Sequence, residues 1–315
     1  MKLMRTEDAV GQVLCHDITQ IIKGVTKDAV FRKGHVITEE DIPVLLSVGK
    51  DSIYIWEKDD TMLHENEAAE ILYAMCKNKH MHPSDVKEGK IEVIADCDGL
   101  LKVDSDKLKK VNAFGQMMIA SRHGNTPVKK GDKLAGTRII PLVIEKEKMH
   151  KAAAICADGP ILELKEFHKK KVGIITTGNE VFHKRIEDTF TPVIKEKLAE
   201  YDTEVIYHEI FDDNHEKITK GCLTAIEKGA DLVICTGGMS VDPDDKTPLA
   251  IKNTGAEIVS YGAPVLPGAM FLLSYYKNDI PILGLPGCVM YAKRTIFDLV
   301  LPRIMCDEKL HEKDF

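Results

Sequence analysis

The chain has 315 residues, of which 44% are hydrophobic, and a formal net charge of −7 at pH 7. That length and composition suffice for two or three units with their own cores, whereas the acidic charge and few aromatic residues argue against a nucleic-acid partner. Eight cysteines without a C-x-x-C pair indicate neither a zinc ribbon nor a disulfide framework. Without an apolar signal or membrane-spanning stretch, the chain is expected to be cytoplasmic, with no membrane partner.

Residues 1–166 are predicted to form a β-rich region. Short runs rich in β-branched residues lie between turn signals at 51–56, 91–95 and 138–144. Apolar residues at spacings of three and four predict a helix over 65–79. If the region consists of two subdomains, this helix lies between them. A shorter helix is predicted over 39–48, with Thr38 as its N-cap.

Residues 167–315 follow a different pattern, which begins after a charged run and alternates strands with helices. Strands are predicted at 172–177, 203–208, 231–236, 256–260, 270–275 and 280–284, and helices at 192–200, 214–228 and 288–304. Thr191 before a proline is interpreted as an N-cap, and Asp213 with Glu216 has the spacing of a capping box. This order predicts an α/β domain with a doubly wound, mostly parallel sheet.

The stretch from Asp231 to Pro248 is the most informative part of that domain. Gly237 and Gly238 follow a buried strand and leave backbone N–H groups without side-chain cover, as a phosphate site requires. Carboxylates that could hold a divalent cation follow at Asp242, Asp244 and Asp245. Taken alone, these residues also fit a polar loop without a ligand.

Polar segments follow four of the predicted strands, where ligands of open α/β sheets bind. They are Thr176–Glu180, Asp212–Asp213, Thr236–Asp245 and Gly284–Gly287. A ligand with phosphates and polar edges needs backbone amides and carboxylates from several strands. The shared placement therefore predicts one site at this edge, although Asp213 also suffices as a helix N-cap.

The same segments carry a resemblance to the molybdopterin-binding domain of molybdopterin adenylyltransferases and molybdopterin molybdenumtransferases. The motifs T-G-[DN]-E-[LV], T-G-G-x-[SG], D-x-T and G-L-P-G of that family resemble, in order, Thr176-Thr-Gly-Asn-Glu-Val181, Thr236-Gly-Gly-Met-Ser-Val241, Asp245-Lys-Thr247 and Gly284-Leu-Pro-Gly287. The chain departs from the family at Cys288-Val289, in place of Asn-Pro, and at Asn179, where many members carry aspartate. The N-S-x-M-D-G-Y segment of full-length molybdenumtransferases has no counterpart.

The resemblance implies a role in molybdenum cofactor biosynthesis, in which the protein binds molybdopterin or adenylated molybdopterin and promotes Mg²⁺-dependent molybdate insertion with release of AMP. It implies catalytic roles for Asp245 and Asp213, and metal binding by Asp245 and Asp212. The cofactor-binding residues that it implies are Thr177, Gly178, Asn179, Glu180, Thr236, Gly237, Gly238, Ser240, Thr247, Pro286 and Gly287. A homo-oligomer and a molybdoenzyme recipient are also expected.

Two other functions stay open on the sequence. In the first, the chain is a non-catalytic carrier or sensor of the cofactor, which the missing N-terminal motif favours. In the second, it is a nucleotide pyrophosphatase, because related domains occur in the competence-damage-inducible family. Cys288 is interpreted as a small buried residue and not as a molybdenum ligand, since no group that would activate the thiolate is identifiable nearby.

Overall fold

The computed structural model describes residues 2–22, 26–55, 59–243, 245–277 and 279–315, with the backbone alone at 21, 26 and 27. The chain divides into two compact units. The first contains residues 1–96, 103–122 and 130–163, and the second contains 97–102, 123–129 and 164–315. The division drawn from the sequence did not foresee that two short segments before residue 130 belong to the second unit.

The strands up to residue 166 are β1 (Lys2–Arg5), β2 (Ile18–Ile22), β3 (Thr26–Phe31), β4 (Ser52–Ile55), β5 (Met62–His64), β6 (Met81–Pro83), β7 (Lys90–Ala95), β8 (Gly99–Val103), β9 (Met117–Ser121), β10 (Thr126–Val128), β11 (Lys133–Ile139), β12 (Val143–Glu145) and β13 (Leu162–Glu166). The later strands are β14 (Lys171–Thr177), β15 (Glu204–Phe211), β16 (Leu232–Thr236), β17 (Glu257–Tyr261), β18 (Leu272–Tyr276) and β19 (Ile280–Leu285). The helices are α1 (Asp41–Ser47), α2 (Glu65–Cys76), α3 (Ser105–Asn112), α4 (Lys146–Ala154), α5 (Asn179–Phe182), α6 (Phe190–Ala199), α7 (His215–Glu227), α8 (Thr247–Asn253) and α9 (Ile296–Ile304). Within the described ranges, no helix has the length and apolar character needed to cross a membrane.

The first unit is built around an antiparallel sheet in the order β6-β7-β11-β9, against which α2 packs. The buried face of α2 is formed by Ala68, Ala69, Leu72, Tyr73, Met75 and Cys76. This helix has His64 as its N-cap, since the imidazole Nδ1 accepts from the Asn66 N–H, and it ends three residues before the predicted end. A smaller core near the N-terminus contains Leu14, Ile18, Ile37, Leu45 and Ile53.

Two details predicted for this unit are wrong. Thr38 does not cap α1 with its side chain; instead its backbone N–H donates to Asp41 Oδ2 at 2.8 Å. The run at 138–144 is not one strand, because β11 ends at Ile139 and β12 begins at Val143. Of the predicted strand at 51–56, the structure shows β4, while Trp56 lies outside the described residues.

The second unit confirms a mixed α/β fold. Its six-stranded sheet has the order β15-β14-β16-β19-β18-β17. The neighbouring strands β15, β14, β16 and β19 are parallel to one another. In contrast, β18 runs antiparallel to β19 and to β17. A separate three-stranded sheet has the order β10-β8-β13.

Alternating side chains of the central strands contribute to two hydrophobic cores, as the two-residue period of a strand requires. Ile174 and Ile234 pack in one core with the apolar faces of α6 and α9. Ile175 and Cys235 pack in the other core with α7 and α8. Both faces of the sheet are therefore covered.

Three predicted helix starts in this unit are wrong. Thr191 lies inside α6, and the cap is supplied by Asp188, whose Oδ1 accepts from the N–H groups of residues 190 and 191 at 3.0 Å. The N-cap of α7 is Asn214 and not Asp213. The predicted helix over 288–304 is a 3₁₀ turn at Gly287–Met290 followed by α9, which begins after the N-cap Thr295.

Candidate functional site

A cleft of about 690 Å³ lies at the carboxyl ends of β14, β16 and β19 in the second unit. The predicted site residues that line it are Thr177, Glu180, Thr236, Gly237, Gly238, Ser240, Asp245, Pro286 and Gly287. The predicted residues Gly178, Asn179, Asp212, Asp213 and Thr247 are not among the lining residues. Three of the four predicted loops thus meet in one cleft, as expected for strands that end at the same edge.

The Gly237-Gly238 turn requires glycine at both positions. Gly237 has φ +85°, and a Cβ there would lie 2.3 Å from the Thr177 carbonyl oxygen. Gly238 has φ +57°, and a Cβ there would lie 2.8 Å from the Thr247 hydroxyl. Since positive φ and these contacts both exclude larger residues, the turn brings bare backbone to the cleft wall.

The hydroxyls of Thr177 and Thr247 hold this turn in place. Thr177 Oγ1 donates to the Thr236 carbonyl oxygen at 3.2 Å, and Thr247 Oγ1 donates to the Gly237 carbonyl oxygen at 2.8 Å. The two hydroxyl oxygens are 3.1 Å apart. Both threonines therefore position the turn, whereas their predicted contact with a cofactor stays a prediction.

Thr236 has a buried hydroxyl beside the cleft. The residue is 0% exposed, and its Oγ1 has no hydrogen-bond partner among the described residues. A buried polar group without a partner costs roughly 1–3 kcal/mol of stability. Thr236 is among the residues that line the cleft, so a polar ligand atom that reached this hydroxyl would remove the cost.

Replacing Thr236 with valine is expected to separate binding from stability. The variant removes the unpartnered hydroxyl at nearly constant volume, so the free energy of unfolding should stay constant or rise by about 1 kcal/mol, while affinity for the cleft ligand falls about fivefold. Thr177→Val is the matched control, because it removes a hydroxyl that has partners and should lower stability by about 1 kcal/mol. Urea unfolding and ligand titration measure both effects. Equal destabilisation of the two variants would contradict the assignment.

The cleft is acidic. Its lining includes the carboxylates of Glu180, Glu187, Asp188, Asp242 and Asp245, and no lysine, arginine or histidine among the described residues. Asp245 and Asp242 form a tight turn, in which the Asp245 N–H donates to the Asp242 carbonyl at 3.0 Å and Asp245 Oδ2 accepts from the Asp242 N–H at 3.3 Å. Asp244 lies outside the described residues. These carboxylates would repel an anionic ligand that bound without a cation.

The described side chains do not form a complete metal site by themselves. No group of three or more histidine, cysteine, aspartate or glutamate residues in the described ranges is arranged to hold a metal ion. Asp212, predicted as a metal ligand with Asp245, pairs with Lys217 Nζ at 2.7 Å, and its buried Oδ1 has no partner within the described chain. The metal role of Asp212 stays a prediction.

Asp213 supports the site through another loop. Its Oδ2 accepts from the Asn179 N–H at 3.0 Å, and its own N–H donates to Asn179 Oδ1 at 3.4 Å. These bonds link the end of β15 to the first residue of α5, the helix that carries Glu180 to the cleft. Asn179 and Asp213 thus position the backbone beside Glu180.

Sequence reasoning missed part of the cleft wall between α5 and α6. Glu187 and Asp188 line the cleft, and the helix-capping role of Asp188 was the available signal. Behind Asp188, His208 Nε2 lies 3.8 Å from Asp188 Oδ2 and 3.1 Å from the Thr176 hydroxyl. Burial lowers the pKa of His208, which favours the neutral imidazole in this network.

Other lining residues that the sequence did not indicate include the segment 266–270 and Tyr291. Cys288 also lines the cleft. Burial raises the pKa of its thiol, which disfavours the thiolate that a metal requires. Cys288 is only partly buried, however, so its interpretation as a small buried residue is not confirmed.

Parts of the chain are similar to known proteins. Residues 173–305 match the family described as "Probable molybdopterin binding domain", and residues 3–57 match a domain of unknown function. A molybdopterin molybdenumtransferase from Haemophilus influenzae is 30% identical over 186 residues, which are 56% of this chain and 43% of that protein. A putative competence-damage inducible protein from Bacillus velezensis is 36% identical over 27% of this chain and 20% of its own length.

The chain therefore spans less than half the length of these two relatives. The crystal structure of the molybdopterin biosynthesis enzyme MoaB from Thermus thermophilus aligns with a TM-score of 0.34 and 24% identity, over 43% of this chain and 91% of that chain. The match to the first family includes the strands β14, β16 and β19, whose loops line the cleft. Residues 173–305 thus form a domain of the probable molybdopterin-binding family.

Proposed function

We propose that this protein binds molybdopterin or adenylated molybdopterin in the cleft and promotes molybdate insertion with release of AMP, using Mg²⁺. The observation that carries the proposal is one cleft with a glycine turn, an unpartnered buried hydroxyl and Asp245, inside a molybdopterin-binding family domain. Adenylated molybdopterin contains phosphates and polar ring edges, which suit bare backbone and a buried hydroxyl.

The acidic lining fits a divalent cation that binds together with the ligand. Mg²⁺ is typically held by one or two carboxylates plus substrate phosphates, so the described residues need not complete its coordination alone. Asp245 and Asp242 would hold it, since they lie in one turn at the cleft. When bound, the cation would neutralise phosphate charge and polarise the phosphoanhydride.

The side chains divide the remaining tasks. The bare Gly237-Gly238 turn and the Thr236 hydroxyl orient the phosphate end of the ligand. Glu180 and Asp245 provide carboxylates that can accept the proton of an attacking water as its oxygen bonds to phosphorus and AMP leaves. Asn179 and Asp213 keep Glu180 in place through their mutual hydrogen bonds.

The test is an AMP-release assay with the full chain. Purified protein, Mg²⁺ and molybdate are mixed with adenylated molybdopterin, and AMP is quantified by chromatography. We expect catalytic release. Binding without release of AMP would contradict the proposed catalysis and favour a carrier function. The missing N-S-x-M-D-G-Y segment also favours a carrier, which would need a molybdoenzyme recipient. Failure to bind either pterin form would contradict both functions.

A further inference from the structure

Two of the four exposed apolar side chains that line the cleft in the described part of the chain are far more exposed than the others, and these two are called its rim. Leu266 is 86% exposed and Tyr291 is 80% exposed, and both line the same cleft as Thr236 and Asp245. Single exposed apolar residues are common on protein surfaces, but these two come from separate segments and line the same cleft. Their position therefore suggests contact with the ligand of that cleft.

The backbone under both residues is well anchored. The segment after Leu266 is tied to α9, because the Ile296 N–H donates to the Pro267 carbonyl at 3.3 Å. Gly268 packs so closely on Ile296 that a Cβ would lie 2.5 Å from its Cγ2. Tyr291 follows the 3₁₀ turn, and its N–H donates to the Cys288 carbonyl at 3.3 Å. These hydrogen bonds and this packing limit how far the backbone that carries the two exposed side chains can move.

This rim lies where the chain departs from the family pattern. The G-L-P-G motif is followed by Cys288-Val289 and not by Asn-Pro, and the 3₁₀ turn at Gly287–Met290 is followed directly by Tyr291. Within the described residues the cleft contains five carboxylates and no basic side chain, so electrostatic attraction to side chains cannot hold the ring system of an anionic ligand there. An aromatic face can, since stacking of a base on an aromatic side chain contributes roughly 1–3 kcal/mol.

We propose that Tyr291 stacks on a planar nitrogen heterocycle of the bound ligand, with Leu266 as a second apolar contact. This inference rests on the proposed function, and it assigns the ring system of the ligand to the rim while the phosphates lie at the glycine turn. Adenylated molybdopterin contains two such rings, adenine and the pterin. Both rings can stack on a tyrosine in the same way, and the experiment distinguishes which of them does.

The experiment measures dissociation constants of AMP, ribose 5-phosphate and molybdopterin for the full chain in the presence of Mg²⁺. Tyr291→Ala is expected to weaken one ring-containing probe about tenfold and leave ribose 5-phosphate unchanged, while Tyr291→Phe retains most of the affinity. Weaker AMP binding would identify adenine at the rim, and weaker molybdopterin binding would identify the pterin. Leu299→Ala is the control, because Leu299 is a 52% exposed apolar residue that is not among the lining residues.

Two results would overturn the inference. One is equal weakening of ribose 5-phosphate and of the ring-containing probes, which indicates a general change of the cleft. The other is unchanged binding of both AMP and molybdopterin by Tyr291→Ala. Binding of none of the probes by the wild-type protein would instead contradict the proposed function, so the two failures are distinguishable.

Discussion

Replacing Asp245 with asparagine is expected to lower the rate of AMP release at least about 100-fold, the loss typical of removing one electrostatic group from an active site. The amide keeps the shape of the side chain and an oxygen that can accept from the Asp242 N–H, so the turn should persist. The negative charge that would hold the cation is lost. The measurement is AMP release at saturating Mg²⁺ and adenylated molybdopterin, with thermal unfolding to verify the fold.

Two aspartates serve as comparisons for this variant. Asp279→Asn is the control, because Asp279 pairs with Lys309 and is not among the cleft residues. Asp212→Asn tests the predicted second metal ligand, whose Oδ2 pairs with Lys217. A loss as large as that of Asp245→Asn would place Asp212 in the metal site after all. Near-normal release by Asp245→Asn would remove Asp245 from the proposed chemistry.

Replacing Gly237 with alanine is expected to cause a large loss of stability. A residue with a Cβ at φ +85° costs about 1–2 kcal/mol, and here the Cβ would also lie 2.3 Å from the Thr177 carbonyl oxygen. Since that oxygen belongs to the backbone of β14, the strand end must move. We expect a total loss of about 4 kcal/mol or more, in the range of disruptive single substitutions, measured by urea unfolding.

Gly255 provides a matched control for this substitution. It has the same φ of +85°, but a Cβ there would meet no atom within 4 Å. Gly255→Ala should therefore lose only the conformational part, about 1–2 kcal/mol. The difference between the two variants isolates the contact with Thr177. Equal losses would mean that the close packing of the glycine turn is unimportant for stability.

The elements that the sequence predicted well are those decided by local pattern. Buried apolar runs predicted β14, β16 and β19, and the paired glycines predicted a turn that needs positive φ. Because parallel strands end at the same edge, the convergence of three loops followed from strand order alone. These are the features that bring Asp245, Glu180 and Gly287 to one cleft.

Helix starts failed where neighbouring polar residues compete for the same role. Asp213 and Asn214 are both good N-caps, and the choice is settled by Asn179, whose N–H binds the Asp213 carboxylate. Similarly, Asp188 and not Thr191 caps α6. Such choices depend on partners distant in the sequence, which spacing cannot reveal.

The apolar rim was unpredictable for a related reason. Leu266 lies between β17 and β18 in a segment without a motif, and it reaches the cleft through the packing of Gly268 against Ile296. Tyr291 lies in a stretch predicted as helix, but it follows a 3₁₀ turn that ends before α9 begins. A tertiary contact holds the segment after Leu266, and the 3₁₀ turn before Tyr291 was not indicated by any motif.

The entry of segments 97–102 and 123–129 into the second unit limits how the chain can be divided. These segments supply most of β8 and all of β10 to the sheet that includes β13, and Lys102 Nζ pairs with Glu308 at 2.8 Å. A cut near residue 164 would pass through β13 and would separate Glu308 from Lys102. A truncated chain that is to keep the complete second unit must therefore also contain residues 97–102 and 123–129.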